Sequence, residues 1–478
     1  MKTLVIQLAR LGDILQTLPA LNAYCRTNRQ EQVHLLVRKK FSTIAHLLPV
    51  CSKVIEMETS SILGDIVTKG PKAFEQSEEA LKAFVQSLQA EGYSKVVNLS
   101  FSPFSSYLTY LLAKANIEVN GYTRHSDGFL AIPDDASAYF YGQVGINRSN
   151  RFHLIDLFAA ILGVELSEQD WKVPLPKKTF FSKSSYIAFH IGASNPKKAL
   201  APNLIAKLLN LLSKQIDKDI YLLGAEEDIK VAQGICNQVF STKVKNVVGS
   251  TSLSELIDIV SGADLFVGAD SGPMQICNLT NTVCVNFSNE SVNFWETGPR
   301  SEKSFVCYAK DFTLLDLNQV TVELCNILSN KPCSWIIGDR MGYYGTFPTT
   351  PVQDFQWDLI KAIYLNGDFP PMLSSSFAKA IVHLYDVNDI SLHHLSNFQI
   401  GNRQQASVLE TADQIMDTLA SEVEEIIPIV YWFRTEKIRM GPMPLTDLLL
   451  KYSDLHKKLK QVLDIYLKPK WEISEDLL

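Results

Sequence analysis

Residues 261–287, SGADLFVGADSGPMQICNLTNTVCVNF, constrain the fold more tightly than any other stretch of the chain. Residues 265–269 form a short apolar run of strand character, and Asp270-Ser271-Gly272-Pro273 is a tight polar turn. Helical spacing comes next, and residues 282–287 read as a second strand. A strand, a helix and a strand in that order make a crossover between parallel neighbours, so the sheet that holds them is parallel. Ser271 or Asp270 can cap the helix, Gly272 lets backbone approach a ligand, and Pro273 fits a first helical turn where its missing N–H costs nothing. The N–H groups of that turn face outward at the carboxyl end of a parallel strand, a place for a phosphate or diphosphate. An ordinary capped junction with no ligand explains the same pattern equally well.

The rest of the chain repeats this alternation. Residues 3–8, 33–37, 54–57 and 95–99 read as strands, with helices at 14–26 and 77–91 between them. A second series begins at residue 186, with strands at 186–191, 220–223 and 245–248, helices at 203–215 and 226–240, and a loop at 192–202. Between the two series apolar periodicity stops, and Pro174-Leu175-Pro176-Lys177-Lys178 with residues 179–184 reads as an interdomain linker. The expected fold class is α/β, with two Rossmann-like domains whose sheets present their carboxyl ends to one cleft. Beyond residue 331 the spacing becomes helical. Ala412, Ile415, Met416, Leu419, Val423 and Ile426 form one apolar face, and Leu448, Tyr452, Leu455, Leu459, Val462, Leu463 and Tyr466 a second, near-heptad seam. These predict an α-helical C-terminal extension built on an antiparallel hairpin, packed on itself, on the body or on a second copy. The expected domains are residues 1–176, 180–330 and 331–478.

Composition narrows the function classes. At 478 residues and 46% hydrophobic the chain can build several full cores. A net charge of -6 without a long basic run argues against nucleic acid as a partner. The eight cysteines form no C-x-x-C pair and have no histidine at zinc-ligand spacing, so the expectation is reduced thiols, no metal site and no cofactor. Gln7, Arg10 and Asp13 interrupt the apolar N-terminus that a signal peptide would need, and no run reaches membrane-span length. A cytoplasmic protein is expected, with peripheral contact at the inner face of the cytoplasmic membrane left open.

Three blocks in order, LVIQLARLGDILQTLPAL at the start, HIGASNPKKALAP, and VVGSTSLSELIDIV with the 261–287 stretch, resemble glycosyltransferase family 9, the lipopolysaccharide heptosyltransferases. Together they span roughly residues 1–300. The resemblance implies the GT-B architecture, with residues 1–176 as acceptor domain and residues 180–330 as nucleotide-sugar donor domain. It also implies inverting transfer of a heptose-like sugar from a nucleotide-diphosphate donor, ADP-linked by family, to a glycan or glycolipid acceptor. Two positions depart from the family pattern: Gln275 stands where His is usual and Leu200 where Trp is usual.

Such a reaction needs a base for the acceptor hydroxyl and positive charge for the leaving diphosphate. By resemblance Asp13 is the base, and on pattern alone it would N-cap the helix at 14–26. Lys198, beside Lys197, matches the lysine that meets the donor phosphates. Ser194, Asp270, Ser271, Gly272 and Gln275 complete the donor contacts, with Glu227 meeting the ribose or simply belonging to an acidic first helical turn. A nucleotide-sugar epimerase or hydrolase on the same fold, or a catalytically decayed scaffold that self-associates through its helical tail, are the competing readings. A dinucleotide oxidoreductase is disfavoured because no G-x-G-x-x-G follows the first strand.

Overall fold

The computed structural model describes all residues except 48–49, 65–69, 71–73, 114–115, 173–184, 400 and 468–478. The expected linker at 174–184 lies outside the described residues. The chain divides into two compact units, one of residues 1–119 and 152–348, the other of residues 120–151 and 349–478.

The first unit holds both expected sheets. In the first sheet the strands run Lys53–Met57, Gln32–Arg38, Lys2–Gln7, Lys95–Asn98 and Glu118–Gly121 from edge to edge. In the second, Val244–Asn246, Asp219–Leu223, Tyr186–His190, Leu265–Ala269, Cys284–Ser288 and Ser304–Tyr308 pair in parallel in the order of a doubly wound nucleotide-binding sheet. Two antiparallel strands, Ile336–Gly338 and Tyr343–Tyr344, extend that sheet past residue 331, where the sequence pattern suggests that the helical extension begins. Strand order reverses beside Lys2–Gln7 in one sheet and between Tyr186–His190 and Leu265–Ala269 in the other. Each reversal opens a crevice at the carboxyl ends, where adjacent connections leave to opposite faces of the sheet.

Both sheets are covered on two faces, which is why their strands read as continuous apolar runs. Ile187, Phe189, Leu265, Val267, Val285 and Phe287 face helix Pro202–Gln215 through Ile205, Leu208, Leu209 and Leu212 in one core. Leu4, Ile6, Leu36 and Val96 belong to the core of the first sheet. Helix Leu154–Leu162 then packs against helix Leu11–Thr27. Arg26 fixes the segment beyond it through an ion pair of 2.9 Å to the buried Asp170.

The second unit is helical and discontinuous in sequence. Residues 120–151, which the linear reading assigns to the first Rossmann-like segment, supply helix Asp135–Gln143 and the hairpin Thr123–Arg124 with Leu130–Ala131. Residues 349–478 supply Pro351–Leu365, Ser375–Ser396, Arg403–Glu422, Ile427–Arg439 and Leu445–Leu467. The expected hairpin is corrected here: both of its helices pack against Ser375–Ser396, which lies between them and which the apolar spacing does not reveal. That helix buries polar Asn388 and Ser391 among its apolar positions, and Asn388 bonds His456 of Leu445–Leu467 through Nδ2 to the carbonyl (3.1 Å) and Oδ1 to Nδ1 (2.7 Å). The seam residues Tyr452, Leu455, Leu459, Leu463 and Tyr466 are therefore covered within the same chain. Among the described residues no helix is long and apolar enough to cross a membrane.

Gly441 shows how the two segments of this unit depend on each other. Its φ is +64°, and an added Cβ would lie 2.6 Å from Cε1 of His125. Gly441→Ala should therefore cost about 1–3 kcal/mol in urea denaturation, through both the left-handed backbone and the displaced imidazole. An unchanged midpoint would show that residues 120–151 do not depend on the 349–478 helices.

Candidate active site

The first half of the site is built at the end of strand Lys2–Gln7. Gln7 is fully buried and its amide organises the next loop: Nε2 donates to Thr17 Oγ1 (3.0 Å) and the Leu99 carbonyl (3.3 Å), and Oε1 accepts from the Ala9 N–H (3.2 Å). The Leu8 N–H donates to Ser100 Oγ at 2.6 Å, and the Arg38 guanidinium donates twice to the Ala9 carbonyl, at 2.5 and 3.2 Å. A loop with this many fixed points presents the next element in one geometry.

That element is helix Leu11–Thr27, which starts three residues earlier than the 14–26 span expected from sequence. Asp13 is accordingly not its N-cap. It occupies the third helical position, and its Oδ2 accepts the Arg10 N–H at 2.9 Å. Burial pushes its pKa up from the ordinary 3.8, the Arg10 N–H and guanidinium pull it back, and the Asp270 carboxylate adds to the rise. Across the crevice Phe101 holds a φ of 49° just past strand Lys95–Asn98 and stacks on Phe158 at 6.4 Å. A non-glycine residue in that region is strained, and such strain collects at functional sites.

The second half lies at the strand reversal of the second sheet. Strand Leu265–Ala269 coincides with the expected span, and helix Gly272–Thr280 begins with Ser271 as N-cap and Pro273 in its first turn. Ser271 makes no side-chain capping bond. Its hydroxyl faces His190 Nδ1 at 3.4 Å instead, so the first-turn N–H groups have no side-chain cap. Burial pushes His190 down to about 4, which keeps the ring neutral. One ring N–H bonds the Gly192 carbonyl, and the other nitrogen is left for Ser271.

Lys198 closes the 3-10 turn Pro196–Lys198, whose position is set by Asn195 accepting the Lys197 N–H (3.0 Å) and by Asn289 donating to the Lys197 carbonyl (2.8 Å). That turn leaves Lys197 exposed and directs Lys198 inward, where its Nζ lies 2.6 Å from Asp270 Oδ2. Ser194 is exposed on the same loop. Glu227 is exposed in the turn Glu226–Asp228, and its neighbour Asp228 faces inward, accepting the Ala225 N–H at 2.9 Å. An added Cβ on Gly192 would lie 2.4 Å from that Asp228 carboxylate. Gln275 is buried, its Nε2 donating to the Thr297 carbonyl (2.5 Å) and its Oε1 accepting from Asn278 (2.7 Å), so only one amide hydrogen remains for anything else. Leu200 is part of the second-sheet core.

The two halves meet glycine to glycine. An added Cβ on Gly12 would lie 3.6 Å from the Gly272 Cα and 3.9 Å from Gln275 Cγ. Asp13, Asp270, Lys198 and the Ser271–Gly272 turn are thereby gathered at the facing N-termini of two helices, while Ser194 and Glu227 stay on exposed loops. His153 and Arg300, both buried, tie the halves together nearby: His153 Nε2 donates to the Gly298 carbonyl at 3.0 Å, and Arg300 pairs with Asp156 at 3.0 Å. Sequence reasoning missed His190, Phe101, Arg38, His153 and Arg300. His190 had a signal, as a lone polar residue closing an apolar strand.

A carboxylate of raised pKa, a lysine and an uncapped helix N-terminus form a set suited to proton abstraction beside a departing anion. The architecture that carries them is GT-B, two Rossmann-like sheets with a helical C-terminal region. The model of glycosyltransferase family 9 (heptosyltransferase) matches residues 81–299. Lipopolysaccharide heptosyltransferase 1 of Campylobacter coli is 22% identical over 307 residues, 59% of this chain and 82% of that protein. The family 9 glycosyl transferase of Veillonella parvula superposes with a TM-score of 0.55 at 17% identity, covering 69% of this chain and 98% of its own. The E. coli heptosyltransferase WaaC with ADP gives 0.51 at 18%, covering 68% and 100%. The chain is thus an enzyme of glycosyltransferase type, similar to the heptosyltransferases of family 9.

Asp13 yields two expectations. If Asp13 serves as a base, its raised pKa means that activity is lost as pH falls through that value, so the acid limb of the rate profile should lie above the ordinary 3.8. Because the folded state holds this proton longer than the unfolded chain, the group lowers stability as pH rises through the same window. Asp13→Asn should therefore leave the melting temperature unchanged or slightly higher at neutral pH while the rate drops about 100- to 10,000-fold. Full activity in the Asn variant would remove Asp13 from the chemistry.

Proposed function

We propose that the chain is an inverting glycosyltransferase that moves a heptose-like sugar from an ADP-linked donor to a hydroxyl of a lipopolysaccharide-type or other cell-surface glycan. The observation that carries the reading is Lys198 turned inward beside the uncapped Ser271–Gly272 turn, opposite the Asp13 carboxylate. The names of the relatives, a lipopolysaccharide heptosyltransferase and a heptosyltransferase with ADP, support the choice of nucleotide and acceptor class.

In this reading Asp13 removes the proton of the attacking hydroxyl as the oxygen bonds the anomeric carbon from the face opposite the leaving group. The diphosphate departs with the electron pair of the broken bond. Lys198 and the N–H groups that open helix Gly272–Thr280 take up its charge. Ser194 and the second amide hydrogen of Gln275 are further donors to the nucleotide, and Glu227 accepts from its ribose. Residues 1–119 then carry the acceptor side and the second sheet the donor side.

Lys198→Ala should weaken ADP binding by about 1.5–3 kcal/mol in isothermal titration calorimetry, the range for a charge-assisted hydrogen bond. Equal affinity would take Lys198 out of the site. Lysine and helix N–H groups supply the positive charge, so transfer should run at full rate in EDTA, and rescue by manganese would contradict the scheme. Donor turnover that needs no sugar acceptor would favour the same-fold epimerase or hydrolase instead.

A further inference from the structure

We infer that Asp270 is a built-in competitor for the diphosphate, a carboxylate that holds Lys198 until a ligand with enough contacts displaces it. The inference rests on the reading that Lys198 and the Ser271–Gly272 turn receive a diphosphate. Asp270 comes directly after strand Leu265–Ala269 and precedes the helix N-cap, so its carboxylate stands at the positive end of Gly272–Thr280. Its Oδ2 is 2.6 Å from Lys198 Nζ, with the Asp270 side chain 9% exposed and that of Lys198 23%. An anion, a lysine and an uncapped helix N-terminus are thus already assembled, with the protein's own carboxylate in the anion's role.

Two observations separate a competitor from a residue that merely aims the lysine. The backbone around Lys198 is fixed independently, by Asn195 through the Lys197 N–H and by Asn289 through the Lys197 carbonyl, so the turn that carries the lysine does not depend on Asp270. Asp270 also lies near enough to Asp13 to help raise its pKa, so further negative charge enters against two carboxylates. A small anion that offers Lys198 only what Asp270 already offers gains nothing by displacing it. A nucleoside diphosphate, with two phosphates for the lysine and the turn and a nucleoside to bind elsewhere, can. The pair thereby sets selectivity against free phosphate and in favour of the nucleotide.

The sign of one substitution decides the matter. By titration calorimetry, Asp270→Asn should bind ADP about tenfold more tightly than the parent, the lower end of what a charge-assisted hydrogen bond is worth, and should gain measurable affinity for inorganic phosphate. In a Lys198→Met background the gain from Asp270→Asn should shrink to less than about threefold, because the contest is for that ammonium. ADP affinity equal to or below that of the parent would overturn the inference and leave the diphosphate reading intact. If the parent binds no ADP, the proposed donor fails, and inorganic diphosphate then serves as probe: tighter binding by the Asn variant upholds the competition, and no gain overturns it. Should thermal melting show that Asp270→Asn is unfolded, Asp270→Ser removes the same charge with less bulk and is judged by the same signs.

Discussion

The close approach of Gly12 and Gly272 determines what the remainder of the first unit can do. Each glycine sits in the first turn of a helix, and each helix presents its N-terminal end to the other. An added Cβ on Gly272 would come to 3.1 Å from Leu11 Cδ2 and 3.5 Å from the Gly12 nitrogen, so the Leu11 side chain would have to give by a few tenths of an ångström. With both side chains absent, Asp13 and Asp270 come near enough to interact. Helix N-termini carry about half a positive charge each, so two of them at one point hold carboxylates that would otherwise repel, and still offer N–H groups to a further anion.

Much of this is legible in the sequence because it depends on short-range rules. Strand Leu265–Ala269, the turn and the helix after it come from apolar run, capping residue and proline position, all encoded within a few residues. The opening helix reads from the sequence as starting at 14 because Leu11 and Gly12 carry no cap signal. Its true boundary depends on Gln7, Ser100 and Arg38, of which the last two reach the loop from other parts of the sheet. Phe101 escapes sequence reading for the same reason, since its partner Phe158 is distant in sequence, and His190 shows only as a polar residue closing an apolar strand, without its partner Ser271.

The helical unit is the least legible part, and its core explains why. Helix Ser375–Ser396 buries Asn388 and Ser391 where a regular apolar stripe would be, because Asn388 is satisfied by His456. Burial pushes that histidine down to about 3, so it packs as a neutral ring against Phe433 and Tyr452. A polar pair that bonds Asn388 to the His456 carbonyl and Nδ1 can stand in for apolar contact in a core, although His456 Nε2 stays buried without a partner, and to a periodicity count it reads as a break. The contribution of residues 120–151 is hidden differently. Nothing local marks a segment whose packing partners begin at residue 349.

Gln275 fits this economy of charge. Its amide is bound on both sides, to the Thr297 carbonyl and to Asn278, and Asn278 in turn accepts the Arg300 N–H at 2.6 Å. A cation at that position would stand over the same helix N-terminus that the proposed function assigns to the diphosphate. There it would repel the partial positive charge of the turn unless a carboxylate neutralised it. The neutral amide avoids that cost and uses its hydrogen bonds to hold residues 297–300 against the helix. On the proposed function the positive charge of the site then rests with Lys198, so the anion that holds Lys198 would decide what the turn accepts.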